Sequence, residues 1–319
     1  MDSRAKDTPD SRIVTAGGRI PGQPGAPAFT LTVHDPSSIP VLVSVPHSGR
    51  AYPPSLIEGM RHPAHAGLRL EDRYVDVLGK RIADETGAAL LVAHAPRAMI
   101  DLNRATDDVD WEMVSTPPPP GTATAGLAGR ARGGLGLVPR RLPGFGELWK
   151  RRIDGADLSA RIDDVHEPYH RVLGETLTAL RDRWGAALLI DLHSMPPLRA
   201  RGAEPAARIV VGDRFGASCA GELVGAAFGY LGRSRMPSAH NRPYAGGYVL
   251  ERHAARKAGL HCLQIEVDRS SYLDSSLTEP GPRLDDMTDV LAGLVRRLAG
   301  EVAELGREGD SDRWRMAAE

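Results

Sequence analysis

Cysteine is almost missing from this 319-residue sequence: only Cys219 and Cys262 occur, far apart and outside any Cys-x-x-Cys spacing. That excludes a thiolate-rich metal site and a disulfide framework, and it fits a cytoplasmic, reducing location. Long apolar runs are missing too. No stretch approaches the roughly 18 residues needed to cross a bilayer, so a soluble chain with no membrane partner is expected. Neither sign of charge is in excess, with Lys+Arg 40 against Asp+Glu 41, which leaves no basic field to attract nucleic acid. Residues 1–29 are rich in Gly, Pro and charge but lack an apolar h-region, and they read as a flexible N-terminal arm rather than a signal peptide. There is no internal repeat. Two common catalytic signatures also fail: Gly216-Ala217-Ser218-Cys219-Ala220 lacks the final glycine of a nucleophile elbow, and Pro139 stands where Gly134-Leu135-Gly136 would need a third glycine to bind a dinucleotide.

What is present is the composition of an ordinary globular protein, 41% hydrophobic and 25% charged. Short apolar runs at 41–45, 88–93, 186–190, 209–211 and 263–267 read as buried strands. Helical patterns lie between them. Residues 72–86 put Val75, Leu78 and Ile82 on one face with Gly87 as the stop, and Met287, Leu291, Leu294, Val295, Leu298 and Val302 form a stripe after Pro282. The alternation predicts one α/β domain over 30–319, a three-layer sandwich around a mixed, mostly parallel sheet, with its site beyond the carboxyl ends of strands. Residues 115–136, rich in Pro and Gly, break the alternation and are expected to form a long surface loop near the site entrance.

Two strand patterns run into histidine. The 41–45 pattern leads to Pro46-His47-Ser48-Gly49, and the 186–190 pattern to Asp191-Leu192-His193-Ser194. Two imidazoles at the mouth of one sheet can share a metal, and catalytic zinc usually adds a third ligand and keeps a position for water. Asp72 can supply the carboxylate; its neighbour Glu71 is the alternative. Glu266 stands amid apolar residues, where a carboxylate needs a partner or a task; it is either an ion-pair partner of Arg269 or a general base. Arg97 precedes Asp101-Leu102-Asn103-Arg104, whose planar guanidinium suits a carboxylate, unless Asp101 and Arg104 only pair with each other.

Seven motifs in order, namely Pro46-His47-Ser48-Gly49, Glu71-Asp72 with Val75-Asp76, Asp101-Leu102-Asn103-Arg104, Pro168-Tyr169-His170, Asp191-Leu192-His193-Ser194, Pro243-Tyr244 with Gly246-Gly247-Tyr248, and Gln264-Ile265-Glu266, resemble those of the N-formylglutamate amidohydrolases. The resemblance runs from Val41 to the final helix. It implies a phosphorylase/hydrolase-like fold, zinc held by His47, Asp72 and His193, Glu266 as base, Asn103 and Arg104 gripping the substrate, and a place in histidine degradation. The expected substrate is an acidic N-acyl amino acid, with Arg97 as oxyanion donor and Arg242 and Tyr244 as further binding residues. A non-catalytic protein binding a small acidic ligand on the same fold is the alternative. A zincin reading of His166-Glu167-Pro168-Tyr169-His170 is opposed by Pro168, expected to push Glu167 out of helical dihedrals and to open a helix that continues through Leu180.

Overall fold

The computed structural model describes residues 11–118, 120, 131–142, 144–200, 202 and 205–317. Its strands are β1 (Ser11–Gly17), β2 (Phe29–Asp35), β3 (Val41–Val45), β4 (Ala89–Ala93), β5 (Arg141–Leu142), β6 (Gly146–Glu147), β7 (Ala187–Met195), β8 (Ile209–Gly212), β9 (Ser238–His240) and β10 (Leu260–Asp268). The helices are α1 (Pro54–Gly59), α2 (Pro63–Leu70), α3 (Val75–Thr86), α4 (Gly155–Arg161), α5 (Glu167–Trp184), α6 (Gly221–Arg233), α7 (Tyr248–His253) and α8 (Leu284–Ala317). Strands other than the β5–β6 hairpin join one sheet in the order β1-β2-β4-β3-β7-β10-β8-β9. Its centre, β4-β3-β7-β10, is parallel, and antiparallel pairs flank it. Among the described residues no helix is long and apolar enough to cross a membrane.

Because strand side chains alternate between faces, the central strands feed two cores. Val41, Val43, Val45, Leu188, Ile190, Leu263 and Ile265 pack under α3, α6 and α8. Leu42, Leu189 and Cys262 point the other way, under α5 and the long excursion between β4 and α4. This is the expected three-layer arrangement. The α8 stripe from Met287 to Val302 is buried as its spacing predicts. Residue parity then places the chemistry: Ser44, Asp191, His193, Gln264 and Glu266 continue the second face, so their polar groups gather on the side that α5 and the excursion cover.

Four expectations are corrected. Residues from Ser11 onward are not a loose arm, since β1 pairs along its length with β2. The helix α3 begins at Val75, after Tyr74 in the left-handed region at φ 58°, so Asp72 sits in a connector rather than at a helix start. Strand β7 runs on through His193 to Met195, because β10 pairs with it as far as Asp268. Pro168 does not push Glu167 out of helix. Glu167 is helical at φ −65°, ψ −42°, and a π turn over Ile162–His166 joins α4 to α5, so the proline opens only the α-helical part. A proline cannot bond the carbonyl four residues back. Here that carbonyl, on Asp164, accepts the Arg19 N–H at 2.9 Å, and the Arg19 guanidinium holds the Asp164 carboxylate at 2.9–3.0 Å. The N-terminal segment thus completes the helix that the proline leaves short. Of the loop expected over 115–136, residues 119 and 121–130 lie outside the described residues.

Candidate metal centre and active-site cavity

His47 follows β3 after Pro46, and the turn there leaves room for no larger residue at Gly49: a Cβ would lie 2.0 Å from the Ala95 carbonyl oxygen. The Asp72 N–H bonds the His47 carbonyl at 2.9 Å, tying the connector to this turn. His193 comes from β7. The three side chains are buried, and one ligand atom from each lies within 4.8 Å of the others. The Nδ1 atoms of His193 and His47 stand 3.0 and 3.5 Å from Asp72 Oδ2.

The orientation of the rings is fixed from behind. His47 Nε2 is 2.7 Å from Asp101 Oδ1, and His193 Nε2 is 2.8 Å from Asp191 Oδ2. Ionised carboxylates only accept, so each Nε2 carries the proton and each Nδ1 turns toward Asp72. His47 Nδ1 is buried without a hydrogen-bond partner. Carboxylate-backed histidines facing a third carboxylate, with an orphaned ring nitrogen, are the donor set of a metal site. This buried group could hold a metal ion. Charge agrees: burial alone would raise the Asp72 carboxyl and lower the His193 ring, yet the two histidines hold Asp72 well below its usual range, and Asp191 and Asp72 hold His193 well above its own. Such a cluster is built to receive positive charge.

Partners that the sequence reading missed complete it. Ser44 donates to Asp191 Oδ1 at 2.6 Å. Arg269 does not pair with Glu266; its Nε reaches Ser194 Oγ at 3.1 Å and its Nη2 stands 3.4 Å from Asp72 Oδ1. Glu71 is spent elsewhere, on Tyr52 at 2.7 Å and Arg73 at 3.1 Å, while Asp72 is the carboxylate grouped with the two histidines. Asp101 pairs with Arg97 Nε at 2.9 Å as well as with His47. The signal for Asp191 and Gln264 was parity, since each lies two residues before His193 or Glu266 on the same strand face.

Glu266 is the register partner of His193 across β10 and β7. Gln264 Nε2 donates to its Oε1 at 2.9 Å. Burial, aided by the charges of Asp72 and Asp191, pushes its carboxyl up to about 7 despite His193 and Arg97. A carboxylate poised near neutrality beside a metal site can take and return a proton.

A cavity of about 640 Å³ opens over these groups, lined by His47, Asp72, His193 and Glu266 and walled by Arg97, Asn103, Arg104 and Tyr244. Arg104 is oriented by the carbonyls of Leu135 and Asn103, each at 2.9 Å. Asn103 Oδ1 accepts the Val249 N–H at 2.9 Å, while its Nδ2 has only long contacts, 3.4 Å to Gln264 and to His193. Gly247 permits this packing, because a Cβ there would lie 2.4 Å from Asn103 Oδ1. Arg242 is not brought to the site: it is exposed and does not line the cavity.

The His-Glu-x-x-His segment is helical, but its nitrogens face away from any shared ion. His166 Nε2 bonds the Arg104 carbonyl at 2.8 Å, His170 Nε2 the Leu102 carbonyl at 2.9 Å, and His170 Nδ1 meets His253 Nε2 at 2.9 Å. Glu167 is held by Arg252 at 2.9 Å. Burial keeps all three rings below their ordinary range, His253 down to about 4. A histidine held neutral in the fold binds fewer protons than in the unfolded chain between about pH 6.5 and its folded value, so its stabilising share is present above that window and lost on acidification. The stability advantage of wild type over His253→Gln should therefore shrink by up to about 1.4 kcal/mol per pH unit from pH 6.5 down to about 4. Urea titrations at several pH values measure it, and a pH-independent difference would show that His253 titrates normally.

Residues 39–273 match the family model for N-formylglutamate amidohydrolase. The chain is 28% identical over 279 residues to an N-formylglutamate deformylase of Pseudomonas aeruginosa, covering 85% of this chain and 95% of the relative. To one of Pseudomonas putida it is 27% identical, covering 85% and 94%. The crystal structure of N-formylglutamate amidohydrolase from Ralstonia eutropha JMP134 superposes with a TM-score of 0.77 at 29% identity, over 88% of this chain and 99% of that one. The gene product Atu2144 from Agrobacterium tumefaciens, 16% identical with a TM-score of 0.61 over 87% and 94% of the two chains, shares the fold. The family match takes in every strand from β3 to β10 and each residue of the centre from His47 to Arg269, and the chain therefore belongs to the N-formylglutamate amidohydrolase family.

Proposed function

We propose that this protein hydrolyses the amide of N-formyl-L-glutamate to formate and L-glutamate, with zinc held by His47, Asp72 and His193. The observation that carries the reading is Glu266, raised to about 7 and aligned with His193 above one cavity. Two nitrogens and one carboxylate oxygen suit zinc in a catalytic rather than a structural site. Bound there, the ion would act as a Lewis acid and lower the pKa of a water. The chain's own residues do the remainder. Glu266 accepts the proton as the water oxygen bonds to the formyl carbon, and Arg97, whose Nε is spent on Asp101, faces the negative charge that grows on the carbonyl oxygen. As the C–N bond breaks, Glu266 returns the proton to the departing amine. A purely binding protein would have no use for a carboxylate held near neutrality beside a metal site. A reducing cytoplasm and a role in histidine breakdown agree with this substrate. Metal-replete protein screened against N-formyl and N-acetyl amino acids should prefer N-formylglutamate; no hydrolysis of any of them would overturn the reading.

Arg104, fixed at the cavity wall, is proposed to hold a substrate carboxylate together with Asn103, with Tyr244 on the facing loop. Arg104→Met should raise KM for N-formylglutamate by an amount corresponding to about 1.5–3 kcal/mol, and Arg104→Lys should recover part of it. An analogue with the α-carboxylate amidated should lose far less affinity in Arg104→Met than in wild type. Equal losses in both proteins would move the carboxylate site to Arg97.

A further inference from the structure

The five residues that mimic a zincin motif sit directly behind the cavity wall, and their geometry gives them a different task. Carbonyl oxygens only accept, so the Nε2 atoms of His166 and His170 carry protons and donate to the backbone of Arg104 and Leu102. The two rings stand one helical turn apart with centroids separated by 4.4 Å. Their spacing matches that of carbonyls two residues apart in the loop. His170, neutral and protonated on Nε2, must accept on Nδ1, which makes His253 Nε2 the donor. His253 belongs to α7, the helix entered from Gly246 and Gly247 at the cavity wall. The same helix gives its Val249 N–H to Asn103 Oδ1, and its Arg252 clasps Glu167 of α5. Three segments are thereby zipped together: the motif helix, the 101–104 loop and the helix following the glycine pair.

We propose that His166 and His170, with His253 behind His170, are positioning residues that set the register of the 101–104 loop and so aim Asn103 and Arg104 at the substrate. The proposal rests on the reading that Asn103 and Arg104 bind substrate. It gives imidazole a use at both places: each ring presents an N–H about one ring width from the helix, in a site buried from water. It also gives α7 a role in coupling the two walls of the cavity.

The test uses metal-loaded, full-length protein. His170→Leu removes the donor, and His170→Gln keeps a side-chain N–H near the same place. Amide exchange at Asn103 and Arg104, whose N–H groups bond Asp101 Oδ1 and the Asp101 carbonyl at 2.9 and 3.1 Å, reads the loop independently of activity. In His170→Leu these two amides should exchange faster while those of β7 and α8 keep wild-type protection. KM for N-formylglutamate should rise about tenfold with kcat changed much less, and His170→Gln should restore most of both. His253→Ala, at the half-buried end of the chain, should give the same pattern more weakly if His170→Leu does not fold. Unchanged exchange at 103 and 104 overturns the cradle. Faster exchange with an unchanged KM in an enzyme that hydrolyses N-formylglutamate overturns the aim ascribed to it, and a wild type that does not hydrolyse that substrate fails the functional reading instead.

Discussion

Glu266→Gln is expected to keep fold and metal content while lowering kcat by about 10²–10⁴, the scale of a lost general base. The replacement is close to isosteric, and its amide oxygen can still accept from Gln264 as Glu266 Oε1 now does. Burial of a neutral amide is also no harder than burial of a carboxyl that already titrates near 7. What disappears is the site that takes a proton from water and hands it to nitrogen. KM should move little, because the interaction removed is made in the transition state. Steady-state kinetics, metal analysis and thermal melting on one preparation check the three parts together. Activity near wild type would assign the proton transfer to another residue and leave Glu266 a structural carboxylate.

The second large effect concerns the metal. Asp72→Ala should reduce bound zinc from about one per chain to a small fraction at micromolar metal, and activity should fall to background, because among the described residues Asp72 is the carboxylate that faces both Nδ1 atoms. Asp101→Asn should behave differently. It keeps the ligand atoms and loses the charge shared by His47 and Arg97, so affinity should fall roughly 10–100-fold, and saturating metal should restore metal content and part of the activity. Titration with zinc, followed by metal analysis and hydrolysis rates, separates the two. Wild-type affinity in Asp72→Ala, or anomalous scattering that places the ion by His166 and His170, would sink the assignment.

His47, His193 and Glu266 were legible because the sequence places each beside an apolar run that can only be a central strand, and Asp72 because a carboxylate had to return to the same edge. Asp72 is brought to the two histidines, but by a different local route than expected: a left-handed Tyr74 starts the helix three residues later and leaves Asp72 in the connector. Asp191, Gln264 and Arg269 were named without their partners, because those contacts exist only between strands or connectors brought together by the fold. Arg242 was read as near the site from its neighbours in the chain, but the turn it occupies faces solvent. Strand β1 was invisible for a related reason. Most of its residues are exposed, so it carries little of the apolar alternation by which strands are recognised. The passage from the π turn into α5 at Pro168 draws on Arg19, almost 150 residues away, which no local rule could supply.

His193 and Glu266 are paired residues on adjacent parallel strands, so backbone hydrogen bonds hold their separation near the roughly 4.8 Å spacing of any sheet. The proposed carboxylate grip, by contrast, hangs on loops and on helices that those loops enter. The 101–104 loop serves both tasks, since Asp101 backs His47 and holds Arg97 two residues before Asn103, whereas the glycine-bearing loop carries none of the metal-facing side chains and is free to diverge at its own rate. Descendants of this chain could exchange the glycine-bearing loop for another, and so alter the proposed grip on the substrate, without moving His193 and Glu266 on their paired strands.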